Sequence, residues 1–567
     1  MSLLIHEFTN EQKIAYYSME IGLRSDMSTY SGGLGVLAGD TIKSAADLRL
    51  PMVAVSILTK KGYFKQELDK QGRQIELPDE WDPSQFMAPL KERVRVYIED
   101  REVLVGSWLY VVKSAAGGKL PIIFLDTDLP ENLPQDRELT HYLYGGDLAY
   151  RLKQEIILGI GGTRMLDKLG FSIKKYHMNE GHSALLTLEL LRRYKRSIDE
   201  VWDERSVWDV EKVRKLCVFT THTPVEAGHD KFDYDLVEKV MGAVLPIPMM
   251  KSFAGNDKLN MTLLGLNLSH YINGVAKKHG EVSQGMFPGY EIHAITNGVH
   301  SFTWVCDSMK ALFDKYLAGW ANEPEIFVRA GRISDDELWA AHMEAKRALI
   351  DYVNQETQVG MEYDVLTVGY ARRATAYKRA DLLFSDIERF AAIGKGKLQI
   401  IYAGKAHPKD DSGKRLIARI LEIKEMLKKK VRIVFLKNYN MDLALKLVSG
   451  VDVWLNTPQR PLEASGTSGM KAAHNGVPNF SVLDGWWIEG HIEGFTGWAI
   501  GPSPDVAADP ARDADDLYEK LENVIIPTYY NNRTTWIRIM NNAISQNANY
   551  FNTNRMMRRY VTEAYIR

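Results

Sequence analysis

Two cysteines in 567 residues, Cys217 and Cys306, lie far apart and outside any CxxC pair. That excludes a disulfide framework and a cysteine zinc site as what organises the chain. Long apolar runs are missing too, since no stretch reaches the ~18 residues that cross a bilayer. The opening MSLLIHEFTNEQK lacks a basic flank followed by an apolar run, so it does not read as a signal peptide. Neither charge is in surplus: 71 basic and 73 acidic side chains give a formal net charge of −2, without the basic excess usual in nucleic-acid binders. Internal repeats and low-complexity tails are absent as well. The expectation is a cytoplasmic protein with no nucleic-acid and no membrane partner.

What is present is an ordinary globular composition, 45% hydrophobic and 25% charged, in a chain long enough for two to four domains at roughly 150 residues each. Apolar runs at 14–18, 52–57, 121–125, 216–221, 365–370, 398–403, 431–436 and 451–456 read as strands. Between them, segments such as 338–354 and 415–429 repeat their apolar residues at helical spacing. Alternation of this kind predicts parallel sheets wound with helices. The series from about 365 to 490 is the more regular. The domain division falls after Asn297-Gly298, giving domains 1–298 and 299–540, with 541–567 as a C-terminal helix packing back across them. The stretch 501–516 reads as a surface connection.

Three segments share one physical property, the means to hold an anion. TYSGGLGVLAGD (29–40) precedes a helical pattern, and glycines let backbone amides at a helix start approach a ligand. Its plainer reading is a glycine-rich turn. Arg372, Arg373, Lys378 and Arg379 follow the 365–370 strand, where open α/β sheets place ligands; alone, they would read as a solvated basic turn. In EASGTSGMKAAHNG (463–476), small residues leave the backbone open, Thr467 and Ser468 suit a helix cap, and Lys471 follows within the first turn or so. An amine at the positive end of a helix near other cations is expected to have a lowered pKa and to be a usable nucleophile. His177-x-x-Glu180-x-His182 and His222-x-x-x-Glu226-x-x-His229 carry metal-ligand residue types without metalloprotease spacing, so no metal is expected. Trp486, Trp487 and Trp498 suit either sugar stacking or the core.

These segments resemble the α-glucan (glycogen, starch, maltodextrin) phosphorylase family. The family marker EASGxxxMK is present from Glu463, and YSMEIG, YSGGLGVLAGD, KGYFKQEL, NEGHSALL, THTPVEAG, ITNGVH, RRATAYKR and KNYNMDLA follow in family order. The resemblance implies two doubly wound Rossmann-like domains facing a cleft, the GT-B glycosyltransferase architecture. It implies pyridoxal 5′-phosphate on Lys471 as a Schiff base, and retaining, reversible phosphorolysis of an α-1,4-glucan or maltodextrin by orthophosphate to glucose 1-phosphate. Carried over position by position, Gly32, Gly33 and Leu34 form the loop whose amides receive the substrate phosphate. Arg373 and Lys378 bind the phosphates, Thr467 and Gly466 touch the cofactor, and Tyr439 lies beside its ring. His222, Asn297, Glu463, Ser465 and Gly466, with Leu34, meet the sugar. A homodimer is among the assemblies the resemblance allows.

The sequence also departs from the family. The family histidine of the basic motif is Thr375 here, and GNMK is SGMK, which implies an altered acceptor preference or pH dependence. The chain opens almost at YSMEIG, so no N-terminal regulatory extension is expected; glycogen storage-site elements are not recognisable, so short maltodextrins are expected to serve better than the polymer.

Overall fold

A strand buried on both faces needs an unbroken apolar run, and all eight runs identified above become strands. In the computed structural model, which describes residues 3–197, 206–242 and 244–566, they fall into two large sheets. The first is built on β1 (Ile14–Tyr17), β2 (Met52–Ile57), β3 (Arg101–Lys113), β4 (Lys119–Asp126), β5 (Lys175–Asn179), β6 (Cys217–Thr220) and β7 (Tyr271–Gly274). Its spatial order is β7-β6-β5-β1-β2-β4-β3, parallel except for the long antiparallel pair β3/β4. Short strands at His293–Ala294 and Ala88–Pro89 flank it, and Val94–Ile98 pairs with β3.

The second sheet holds β8 (Leu366–Ala371), β9 (Leu398–Ala403), β10 (Arg432–Leu436), β11 (Val453–Asn456), β12 (Asn479–Val482) and β13 (Gly497–Ile500). The order β10-β9-β8-β11-β12-β13 is parallel throughout. Successive strands therefore leave in opposite directions from β8 and β11, which creates a topological switch point where such sheets bind ligands. In the first sheet β1 lies between β2 and β5 and makes the same kind of crevice. This is the two-sheet, doubly wound architecture expected from the sequence.

The helices that matter here are α1 (Gly33–Asp47), α2 (Asp335–Thr357), α3 (Asp411–Leu427), α4 (Met441–Gly450), α5 (Ser468–His474) and α6 (Thr553–Tyr560). Helix α2 opens with Asp335, Asp336 and Glu337 against its positive dipole end, and Asp410 caps α3 by accepting from Gly413 N. Helix α1 starts inside the glycine run at Gly33, earlier than the pattern suggested. The 501–516 segment is a connection only as far as Asp509. Pro510–Lys520 is a helix capped by Asp509 that buries Ala514, Leu517 and Tyr518. Its acidic, proline-containing composition masked an ordinary amphipathic face.

Two features tie the sheets together. Asn552 bridges to Val299, after which α6 packs Met556, Met557 and Tyr560 into the same core as Ile42, Ala45 and Ala46 of α1. Just before it, Ile544 and Ala548 belong to the core of the second sheet. The hairpin Lys65–Leu68/Gln74–Leu77 reaches in the other direction. Gln66 Nε2 donates to Gly404 O (2.9 Å) and to Gln74 Oε1 (3.0 Å), and Gln74 Nε2 donates to Ala406 O (2.9 Å). Both glutamines are buried, so these polar groups satisfy one another away from water.

Candidate active site

The switch points of the two sheets face one cavity of about 790 Å³. Gly32, Gly33, Leu34, His222 and Asn297 line one wall; Arg373, Lys378, Tyr439, Glu463, Ser465, Gly466, Thr467 and Lys471 line the other. Every expected site residue is thus at one place, although these residues are drawn from positions 32 to 471 of the chain.

The first wall is the glycine loop. A side-chain Cβ built on Gly32 or Gly33 would meet nothing within 4 Å, so the loop faces open space. The opening N–H groups of α1 have no partner within the helix, and the first to find one is Val36 N, bonded to Gly32 O at 3.1 Å. Glu20 governs the turn before it. Its carboxylate accepts from Ser31 N (2.6 Å), Gly32 N (3.1 Å) and Tyr144 Oη (2.9 Å). The Gly32 amide is therefore engaged here, and the amides left to an anion in the cavity are those of Gly33 and Leu34.

The second wall is cationic. Arg372 Nη2 and Lys378 Nζ both donate to Glu463 Oε2, each at 2.5 Å. Burial would push the Glu463 carboxyl up, but the two cations outweigh it and hold it down at about 2. Arg372 keeps two further donors, Nε and Nη1, buried without a partner. Arg373, exposed at the cavity wall, makes no hydrogen bond or ion pair among the described residues. Arg379, the fourth member of the basic cluster, turns away to Thr457 O, Pro458 O and Asp513.

Lys471 lies deeper, 6% exposed, on the fourth residue of α5. Thr467 stands at the N-cap but makes no side-chain capping bond, which leaves its hydroxyl uncommitted. The Lys471 amine rests 3.9 Å from the centre of the Trp304 ring. Its pKa is pulled down to about 8, chiefly by burial, with Lys43 adding to the effect and Asp40 opposing it. The direction matches the sequence expectation, but burial rather than the helix end is the main cause.

The remaining polar groups surround the space between the walls. His222 Nε2 lies 2.6 Å from Asn179 Oδ1. An amide oxygen only accepts, so Nε2 carries the proton and Nδ1 is left as an acceptor. Burial, with three nearby histidines, lowers the His222 pKa to about 3, so the ring is neutral. Asn297 Oδ1 is buried and unpartnered. Gly466 has φ 74°, a left-handed conformation that side-chain-bearing residues adopt only at a cost. Glu180 tolerates φ 73° because His222 N, Gly181 N and Thr223 Oγ1 all donate to its carboxylate.

The sequence reading gave no role to Glu20, Asp40 or Trp304 and named Arg372 only as part of a cluster. Glu20, Asp40 and Arg372 lie inside quoted motifs, but nothing local in those motifs shows which partner each side chain meets. Trp486, Trp487 and Trp498, left open between stacking and core, are core residues. The two metal-type motifs do not converge: His177 bonds Tyr565 Oη and Thr220 Oγ1, and His229 bonds Thr262 Oγ1. Among the described residues no His, Cys, Asp and Glu cluster is arranged for a metal ion, and no helix is long and apolar enough to cross a membrane.

Comparison with known proteins agrees with this geometry. Residues 247–493 match the carbohydrate phosphorylase family. The chain is 41% identical to the maltodextrin phosphorylase of Thermococcus litoralis, over 98% of this chain and 70% of that protein. It is 36% identical to the glycogen phosphorylase of Aquifex aeolicus, over 99% of this chain and 87% of that protein. The glycogen phosphorylase of Mycobacterium tuberculosis is 35% identical over 97% and 70% respectively. With this identity sustained along nearly its whole length, the chain belongs to the carbohydrate phosphorylase family.

Proposed function

We propose that the chain is an α-1,4-glucan phosphorylase that uses orthophosphate to release the non-reducing-end glucosyl unit of a maltodextrin as glucose 1-phosphate. One observation carries the reading. A buried amine (Lys471) and unpaired guanidinium donors (Arg372, Arg373) share a cavity with the amide-bearing start of α1. Lys471 would hold pyridoxal 5′-phosphate, and the free Arg372 donors and the Thr467 hydroxyl suit its phosphate. When bound, that cofactor supplies a phosphate group able to share a proton with orthophosphate. Tyr439 would flank its ring.

The protein's own part is to bind and orient. Arg373 and Lys378 hold orthophosphate against the Gly33 and Leu34 amides. His222 Nδ1 and Asn297 Oδ1, together with Ser465 and the Gly466 backbone, fix the glucosyl hydroxyls. Glu463 cannot act as a glycosidase-type general acid, because its two cations keep it ionised far below neutral pH. Positive charge on one wall and amide dipoles on the other stabilise charge that develops between them.

The test is phosphate-dependent formation of glucose 1-phosphate from maltoheptaose. Borohydride reduction should trap a pyridoxyl group on Lys471; a chain that takes up no such group is not a phosphorylase. The runner-up, a sugar-nucleotide glycosyltransferase on the same architecture, predicts nucleotide-sugar dependence and no adduct. The proposal includes a homodimer, which a sedimenting species of single-chain mass would overturn.

A further inference from the structure

Asp40 lies on α1, one turn past the glycine loop, and is 1% exposed. Its Oδ2 accepts the Trp304 indole N–H at 2.7 Å, while its Oδ1 is buried with no partner at all. The face of that same Trp304 ring carries the Lys471 amine, 3.9 Å from its centre. One indole thus holds a carboxyl group at its edge and a lysine amine on its face, both out of water. Burial pushes the Asp40 carboxyl up, and Lys471 is foremost among the neighbours that pull it back down. A half-satisfied carboxylate in such a place costs stability unless an opposite charge compensates it. The amine in contact with the same ring is such a charge.

We infer that Asp40 is the buried counter-ion of the Lys471 nitrogen, a positioning residue that keeps this nitrogen cationic while Trp304 holds the carboxylate in place. This deepens the reading of Lys471 as the residue that anchors an aldehyde cofactor. A nitrogen that must hold a proton in a dry pocket and give it up when it bonds to a carbonyl carbon needs a fixed acceptor nearby. The other ionisable groups around the pair are Lys43 and Asp47 on α1, His300 in the turn leading to Trp304, and His474 on α5. Lys43 donates to Thr303 Oγ1 at 3.2 Å, and Asp47 is matched with His300 Nε2 at 2.8 Å. Asp40 is left as the carboxylate facing Lys471, with Lys43 as the competing cation.

The experiment measures the protonation of Lys471 directly in the full-length, cofactor-free protein. Acetic anhydride reacts with neutral amines, so the extent of Lys471 acetylation against pH, read by peptide mass spectrometry, gives the midpoint. In the unmodified chain it should lie near 8. Asp40→Asn keeps an acceptor for the indole and removes the charge; the midpoint should fall by about one pH unit or more. Lys43→Gln should move it the opposite way. Opposite shifts support the pair. An unchanged midpoint in Asp40→Asn, or the same direction of shift in both variants, overturns it. If Asp40→Asn does not fold by circular dichroism, Lys43→Gln decides alone, and a midpoint that fails to rise overturns the proposal. None of this depends on phosphorolysis, so a chain that makes no glucose 1-phosphate would sink the proposed function while leaving this titration to stand or fall by itself.

Discussion

The two walls of the cleft offer an anion opposite kinds of partner. One presents side-chain cations, Arg372, Arg373 and Lys378; the other presents backbone amides at the start of α1. Each also carries a glutamate of its own. Glu463 neutralises Arg372 and Lys378, and Glu20 takes the Ser31 and Gly32 amides. The consequences of losing these carboxylates differ. Full charges in a closed site must be matched or they destabilise the fold, whereas amides at a loop can be satisfied by water. A cationic wall therefore couples binding to stability, and an amide wall couples binding to loop shape.

The largest effect should come from Arg373, the cation of the cationic wall with no hydrogen bond or ion pair among the described residues. Arg373→Ala removes a guanidinium that makes no such bond and feels Asp410 only at longer range. Its unfolding free energy should stay within about 0.5 kcal/mol of the parent. We expect kcat/KM for orthophosphate to fall about 10³-fold, roughly 4 kcal/mol. Equal losses of stability and activity would show that Arg373 belongs to the fold and not to the site.

Glu463→Gln should do the reverse. It leaves Arg372 and Lys378 without their carboxylate and should cost about 3 kcal/mol of stability. Because folding lowers the Glu463 pKa from an ordinary 4.5 to about 2, its contribution is complete above 4.5 and is lost as pH falls toward 2. The gap in Tm between parent and variant should close across that window. Inorganic phosphate should raise the Tm of the variant more than that of the parent, since it meets unpaired cations there. A pH-independent gap would break the assignment.

How the walls are held apart is open to a third test. Gln66→Ala removes the bonds of a buried side chain to Gly404 O, Gln74 and Asn438 N. Leaving buried polar groups unpaired should cost about 2 kcal/mol. Urea unfolding should then resolve two transitions, one for each sheet, where the parent shows one; a single parent-like transition would mean the hairpin is not the clamp.

Much of this was legible in the sequence, and the reason differs between the two sheets. The runs 365–370, 398–403, 431–436 and 451–456 become β8 to β11 because parallel strands covered on both faces must be apolar throughout. Strand β3 escaped because one face is half exposed, so its REVLVGSWLYVVK pattern mixes both kinds of position. Strand β5, KYHMN, buries His177 and Asn179 through hydrogen bonds and shows no apolar run at all. Lys471 and the basic cluster stood out because small residues and clustered cations are local signals. Asp40, Glu20 and Trp304 matter through partners distant in the chain, such as the 264 residues that separate Asp40 from Trp304, and no local pattern encodes that.

The smallest effect expected is on the amide wall. Glu20→Gln preserves an oxygen that can accept from Ser31 N or Gly32 N but not the charge that draws both. The new amide nitrogen takes the place of the oxygen that accepted from Tyr144, so that hydroxyl must accept instead of donate, and stability should change by only about 1 kcal/mol. The loop, however, is no longer fixed by a charge-assisted bond, and the Gly33 and Leu34 amides lose their common orientation. We expect kcat/KM for orthophosphate to fall about tenfold, the equivalent of roughly 1.4 kcal/mol. Preorganised donors act only if they already point where charge develops, so the loss should appear in kcat more than in KM. If Glu20→Gln instead raised phosphate affinity, the carboxylate would be a competitor for the amides rather than their organiser. The two walls would then be alike after all, each closed by a glutamate that the substrate displaces.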